Sequence, residues 1–332
     1  MKKIVVKILS VIVVMAVCMS CGGSRSANIT MTTEQGGQVS FRLGGSGIAT
    51  VDWGDGSERI SLTLKEYGVD FRHTYPNATM RTILINGDNI TGLWSDCIRL
   101  TGLDVRRNSK LMRLEVRDDP LTSLDVSRNT ALENLTVITT PLTSLNVSRN
   151  TTLESLIVGG TPLSSLDVSR NIALTHLEVC TISLTSLDMS RNTALTHLYV
   201  NNSQLTNLDV SRNTALTFLS VQNNQLTNLD VSRNTALTHL NASNNQLTNL
   251  DVSRNTALLS LRIQSNLFSE SVLCAILSSL PVQSPNHPYV SIGGNPGAQR
   301  MFEQRFSERS RNWFYHFIGC GGQVTQEWRV FR

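Results

Sequence analysis

Aromatic residues make up only 5% of this chain and charged residues only 16%. Large rings normally anchor a mixed globular core, so their scarcity points to an interior filled by many small, equivalent side chains. An excess of one charge is lacking too. The formal net charge is +4, and Lys2, Lys3 and Lys7 supply most of it; a near-neutral remainder excludes nucleic acid as the partner. The one long apolar run, Ile8 to Val17, is too short to span a membrane comfortably. Beyond Cys21 the cysteines are Cys97, Cys180, Cys274 and Cys320, too far apart for a CxxC metal or redox motif. Cys274 and Cys320 are the candidate pair if the tail folds back on the body of the chain. No Ser/His/Asp set, acid and base pair or phosphate-cradling loop can be assembled. Serine and aspartate are plentiful because one phrase multiplies them. The chain therefore reads as non-enzymatic, with no cofactor and no metal.

Residues 1–20 have a basic head, an apolar run and small residues, the order of an export signal. The segment CMSCGG then resembles the lipobox of bacterial lipoproteins, with Cys18 where leucine is usual. That resemblance implies cleavage before Cys21 and acylation of the new terminal cysteine, and several acyl chains suffice for stable anchoring. The membrane partner is thus expected to be reached through lipid at Cys21. The following GGSRS has no acidic run, so an outer-membrane lipoprotein facing either the periplasm or the cell surface is consistent with it.

Residues 21–79 read as a short linker and a small β module. VSFRL, IATVDW and RISLTL have strand character, and DWGDGS from Asp52 is a turn of residues that cap their own amides. IATVDWGDGSE followed by FRHTYPNATMRTILING resembles a PKD-like β-sandwich signature. Asp52 and Asp55 lack the further oxygen ligands of a calcium loop, and His73 reads as a packing residue.

From residue 80 to 267 the chain repeats itself. Leu121, Leu142, Leu163, Leu184, Leu205, Leu226 and Leu247 each open the same phrase at a spacing of 21 residues. In the coil from Leu237, Leu240 and Ala242 lie two apart on one face of a short strand, with His239, Asn241 and Ser243 on the other. Asn245 stands where the chain leaves the strand, placed to bond backbone groups at the bend. A single coil cannot bury its interior, so the coils must stack. LTHLNASNNQL resembles the LxxLxLxxNxL core of the leucine-rich repeat, and so do LTFLSVQNNQL and LTHLYVNNSQL. The fold expected is mainly β: a leucine-rich repeat solenoid with 21-residue coils, an N-terminal small β module and a C-terminal α/β cap. The whole arrangement resembles surface or periplasmic leucine-rich repeat lipoproteins of the Bacteroidota. Thr140, Thr161 and Ile182 interrupt the asparagine position, whereas Asn129, Asn150, Asn171, Asn192, Asn213, Asn234 and Asn255 recur in the SRN turn. The second half of each coil is therefore expected to be well ordered, and a two-sheet solenoid stays open as the rival architecture. Residues 80–94 place Ile83 and Ile85 like Leu240 and Ala242, at the joint with the first module.

Two long columns follow from the period. Asp125, Asn146, Asp167, Asp188, Asp209, Asp230 and Asp251 run beside Arg128, Arg149, Arg170, Arg191, Arg212, Arg233 and Arg254, and the two columns are expected to satisfy each other. The outward strand letters vary instead. Their middle gathers His176, Glu178, His197, Tyr199, Phe218, His239 and Asn241, rings beside polar groups that suit a protein hot spot or sugar faces. A parallel row lacks the convergence of a zinc site. Residues 268–332 read as the cap and tail: Ser269 caps a helix over residues 270–280, Tyr289 to Ile292 forms an edge strand, and a second helix carries Phe302 and Phe306. The expected role is a monomeric, lipid-anchored envelope protein binding a protein or glycan through its strand face. A structural or adhesive role without a dedicated small ligand is the alternative.

Overall fold

The computed structural model describes residues 27–280 and 289–298, and the backbone of two further strands at 315–318 and 324–331. The leader with Cys21, Cys320 and the helix expected around Phe302 and Phe306 lie outside the described residues.

Each coil opens on a short strand: β7 (Arg113–Arg117), β8 (Asn134–Ile138), β9 (Ser155–Gly159), β10 (His176–Cys180), β11 (His197–Asn201), β12 (Phe218–Ser220), β13 (His239–Asn241) and β14 (Ser260–Arg262). Neighbours pair in parallel, every residue beside its equivalent 21 positions on. Leu114, Leu135, Leu156, Leu177, Leu198, Leu219, Leu240 and Leu261 point inward and are buried. The protein is mainly β, a leucine-rich repeat solenoid.

The second half of the coil carries no strand from Leu121 to the last repeat, which decides the open question in favour of one sheet. The cause is local. Asn129 N donates to Val126 O at 3.0 Å, and Ser127 N donates to Asp125 Oδ1 at 2.9 Å. Backbone donors spent inside the turn cannot form a ladder to the next coil. Side chains supply the coil-to-coil bonds instead. Asn192 Nδ2 donates to Val168 O at 3.0 Å and Asn171 O at 2.8 Å, and the same pair of bonds recurs from Asn129 to Asn255.

The acidic column does not pair with the arginines as expected. Asp125, Asp167, Asp188, Asp209, Asp230 and Asp251 each accept the amide two residues on, at 2.8–2.9 Å. Among the described residues no salt bridge joins them to Arg128 or its equivalents, which stay exposed. An amide in the same turn is held in place at no further cost, whereas an exposed ion pair must order two long side chains for little gain.

At the other bend the backbone is left-handed in every coil. Cys97, Asp118, Thr139, Gly160, Thr181, Asn202, Asn223, Asn244 and Ser265 all have φ between 51° and 60°. Beside this corner Asn224, Asn245 and Asn266 donate to three carbonyls each and accept one amide. Asp119 takes the acceptor share in the first coil, from the amides of Ile98 and Leu100 at 3.0 Å.

The first module is sewn to the stack twice. β1 (Ile29–Thr33) pairs antiparallel with both β5 (Arg81–Asp96) and β6 (Leu100–Asp104). β5 then continues into the solenoid sheet, Leu93 beside Leu114 and Ser95 beside Val116. The coil phase therefore begins at Leu93, not at Ile83 and Ile85, which pair with Met31 and Ile29. VSFRL and IATVDW share one long strand, β2 (Gly37–Asp52), bent where Gly45 has φ +143 and a Cβ would meet Asn89 O at 2.0 Å. β3 (Ile60–Thr63) and β4 (Val69–Tyr75) pair onto it around buried Trp53, Phe71 and Tyr75.

At the far end α1 (Glu270–Ser279) starts where Ser269 Oγ accepts Val272 N, and buries Leu273, Ile276 and Leu277. β15 (Tyr289–Ser291) extends the parallel sheet, but it is not the last strand. The tail forms a hairpin of β16 (Tyr315–Ile318) and β17 (Val324–Phe331), and β17 pairs with β15. Cys274 is disulfide-bonded.

Asn192→Ala leaves two buried carbonyls without their donors, and each such loss costs about 1–3 kcal/mol. Urea unfolding is expected to show a loss of about 2–6 kcal/mol in unfolding free energy from the two carbonyls together, with the circular dichroism spectrum of the folded state unchanged.

Candidate binding face

The parallel register places the variable letters in two columns on one face. His176, His197, Phe218 and His239 stand side by side in the first, with Ser155 before them and Ser260 after. Their rings form one stack: centroids are 5.7 Å apart from His176 to His197, 6.2 Å from His197 to Phe218 and 5.3 Å from Phe218 to His239. The last two pairs are tilted by only 11° and 16°. Tyr199 leans in from the second column, 4.8 Å from Phe218 and 5.4 Å from His176. At these separations the near-parallel rings are offset, and part of each ring face is covered by the ring of the neighbouring coil. A sugar needs a free ring face, so this geometry suits contact with a protein better than the sugar stacking the residue types also allowed.

A threonine ladder lies beneath the column. The hydroxyls of Thr175, Thr196, Thr217 and Thr238 donate to the carbonyls of Glu154, Thr175, Thr196 and Thr217 at 2.9–3.2 Å. Thr196 and Thr238 also touch Nδ1 of His197 and His239, both at 2.9 Å. In the repeated phrase these threonines look like ordinary turn residues, and only the stacking reveals their contact with the imidazoles. Burial, and secondly the His197 imidazole, hold His176 below the usual histidine range. Glu178 stands 4.0 Å from His176 Nε2.

The second column is less open than its alternation implies. Ser220 is buried and donates to Asn201 Oδ1 at 2.8 Å. Ser243 is buried too, where an outward position was expected, because it turns back to Asn241 Oδ1. Asn241 is half-buried, its amide donating to Gln222 Oε1 at 2.9 Å. Beyond β11 the strands shorten to three residues, so the chain enters its corner one pair earlier. Cys180 is half-buried, and burial pushes its thiol up, away from the thiolate that would react.

Two clusters outside this face carry titratable groups. In the first module Asp55 Oδ2 meets His73 Nε2 at 2.7 Å, and Ser57 Oγ donates to Asp55 Oδ1 at 2.6 Å. Here the carboxylate stands between serine and imidazole, whereas a hydrolytic triad needs the imidazole in the middle. The Ser57 hydroxyl, with His73 as a lesser cause, holds Asp55 well below the usual carboxylate range. His73 also stacks on Trp53 at 4.9 Å, so the group locks the turn. Asp52 is used in the same way, by Gly54 N and Arg59, which leaves neither carboxylate free for calcium. Asp96, Cys97 and Asp118 bring ligand-type atoms within 4.8 Å of one another, all exposed. The Asp96 hydrogen bond, then burial, raise the Cys97 thiol, which favours the protonated form over a ligating thiolate.

No protein-family model matches the chain, and no curated protein does. Among solved structures it is similar to the functional domain of InlJ from Listeria monocytogenes, described as including a cysteine ladder. That likeness has 33% identity and a TM-score of 0.57, and covers 67% of this chain and 48% of that one. A leucine-rich repeat protein from Leptospira interrogans is similar at 20% identity and a TM-score of 0.53, covering 57% and 51% of the two chains. The chain thus spans about half the length of these structures. In this chain the recurring inward ladder is asparagine, since Cys97, Cys180 and Cys274 do not follow the coil period. The chain is a leucine-rich repeat solenoid whose coils present a continuous surface.

Phe218→Ala removes the middle ring of the stack. A loss of about 1.5–4.5 kcal/mol is expected from three ring contacts worth about 0.5–1.5 kcal/mol each, read by urea unfolding. The ring-current shifts of His197 and His239 in a proton NMR spectrum should collapse with it; unchanged shifts would show that the rings are not stacked in solution.

Proposed function

We propose that the chain is a lipid-anchored cell-envelope protein that binds a partner protein through the column His176, His197, Phe218 and His239, with Tyr199 and Glu178 beside it and Asn241 at its rim. The ring stack carries this reading. Among the described residues of the solenoid, only here do four adjacent coils place rings in contact at one position. A continuous half-buried aromatic strip offers apolar area with little side-chain entropy left to lose, which is what an interface centre requires. The glycan reading is the second choice, because the ring faces are spent on each other.

The anchor rests on the leader and on CMSCGG, with Cys21 as the lipidated residue. In this reading residues 1–20 are removed, 21–79 form the linker and β module, 80–267 the binding solenoid and 268–332 the cap. The outer membrane of a Bacteroidota-type envelope is the location that the leader and repeat together favour. An adhesive or structural role, using the exposed arginine column or the C-terminal hairpin, is the alternative.

The triple variant His197→Ala, Tyr199→Ala, Phe218→Ala is expected to lose its partner in pull-downs from native membranes while giving no new signal on a glycan array. Partner capture equal to that of the wild type would sink the strand-face reading and favour the adhesive one. For the anchor, Cys21→Ser should abolish labelling by a fatty-acid probe and release the protein from membranes, and persistent labelling would refute lipidation at Cys21.

A further inference from the structure

The threonine ladder decides which nitrogen of each bonded imidazole carries the proton. Thr196 Oγ1 lies 3.0 Å from Thr175 O, and Thr238 Oγ1 lies 2.9 Å from Thr217 O. A carbonyl only accepts, so each hydroxyl spends its single hydrogen there. The contact of the same oxygen with Nδ1 of His197 or His239, 2.9 Å in both, can then be a hydrogen bond only if Nδ1 carries hydrogen. In the neutral ring Nε2 is consequently an acceptor, and among the described residues it has no hydrogen-bond partner in either histidine. His176 has no such bond, although Thr175 precedes it.

We propose that His197 and His239 form a pair of preset hydrogen-bond acceptors, two coils apart across Phe218, which dock a partner protein through the N–H donors of its lysine or arginine side chains. This inference rests on the strand-face reading above and names the chemistry of its partner. The acidic charges of the column agree with it, while Arg262, one coil beyond His239, lies over the Tyr289 ring at 5.4 Å. Glu178 lies on the same face, and Glu133 and Glu154 border the column without an ion pair among the described residues. Two acceptors about 10 Å apart, from two steps of about 4.8 Å, correspond to about three residues of an extended segment at about 3.3 Å each, a span that two long, flexible basic side chains can bridge. Metal binding by the same nitrogens is disfavoured by geometry. His176, Glu178 and His197 do not bring three ligand atoms within 4.8 Å of one another, a grouping that among the described residues only Asp96, Cys97 and Asp118 achieve.

Acid should release such a partner. Facing His197 are His176, Glu178 and Cys180 from β10 and Tyr199 from its own strand; β12 offers only Phe218 and Ser220. Facing His239 from β14 are Ser260 and Arg262. An imidazole that gains its second proton turns its acceptor into a donor and adds a positive charge toward the partner's cations.

The test uses the full chain in detergent on an array of immobilised peptides that are lysine/arginine-rich, neutral or aspartate/glutamate-rich. Capture of the basic peptides at about pH 7.5, weakened about tenfold or more at about pH 5, is expected, with no effect of a chelator. The double variant His197→Gln, His239→Gln keeps an acceptor oxygen near each Nε2 position without a titrating ring. Whatever level of basic-peptide capture it keeps should be the same at about pH 5 as at about pH 7.5, so that the pH dependence is lost. Nitrogen-15 NMR of the wild type should show Nδ1–H tautomers at both histidines. Preference for acidic or neutral peptides, no capture, chelator sensitivity, an Nε2–H tautomer, or pH dependence retained in the glutamine variant would each overturn the inference. If the triple alanine variant loses capture while the glutamine variant still titrates, only the acceptor chemistry fails. If the triple alanine variant captures as the wild type does, the strand-face reading itself fails.

Discussion

Every coil of this protein must bend its backbone inside a stack, and a bend strands carbonyls where no water reaches them. The asparagine of the SRN turn answers that constraint. Its Nδ2 bridges two carbonyls of the preceding coil, from Asn129 on Val105 and Asn108 to Asn255 on Val231 and Asn234. Both hydrogens of one amide are used, so the side chain sets the distance between successive turns as well as satisfying them. Its Oδ1 has no donor in any of these seven residues. A buried carbonyl oxygen is the less costly group to leave unpaired, and the arrangement accepts seven of them to cover twice as many backbone acceptors.

A fixed turn-to-turn distance propagates to everything outside. Because each residue sits beside its equivalent 21 positions away, substitutions at one outward letter build a column without moving the interior. His176, His197, Phe218 and His239 are stacked because they occupy the same letter in successive coils, and that same fact covers part of each ring with its neighbour. The scaffold thus decides which part of a ring a partner can meet. It also decides the fate of the acidic letters, whose carboxylates are drawn into the turn by the amide two residues on and are lost to the neighbouring arginines.

What was legible in the sequence is what repeats at constant spacing. The inward leucines, the partial asparagine ladder broken at Thr140, Thr161 and Ile182, and the helix capped by Ser269 follow from period and local chemistry alone. Three things did not. The left-handed corner recurs at Cys97, Thr139, Thr181 and Ser265, residues with no common turn preference, because stacking imposes the conformation and the side chain merely tolerates it. The bond between Asp55 and His73 joins residues of different elements, whose meeting depends on the register of β2 with β4. The pairing of β1 with β6 makes a strand of a segment that, in every later coil, is turn and extended chain. No local signal distinguishes Leu100 from Leu121 in that respect; only the presence of a partner edge does.

The same logic places the chemistry of the candidate site partly in the repeat itself. His197 and His239 are outward letters, free to vary, yet their protonation pattern is imposed by Thr196 and Thr238, which belong to the repeated phrase and are bonded to the coil behind. An imidazole placed at this letter in Asn134 or Ser155 would follow Glu133 or Glu154 instead, with an acceptor-only carboxylate in place of a hydroxyl that has already spent its hydrogen. Identical side chains on one column would then present different faces to a partner. The faithful part of the phrase therefore contributes to recognition indirectly, by setting what each variable letter is able to offer.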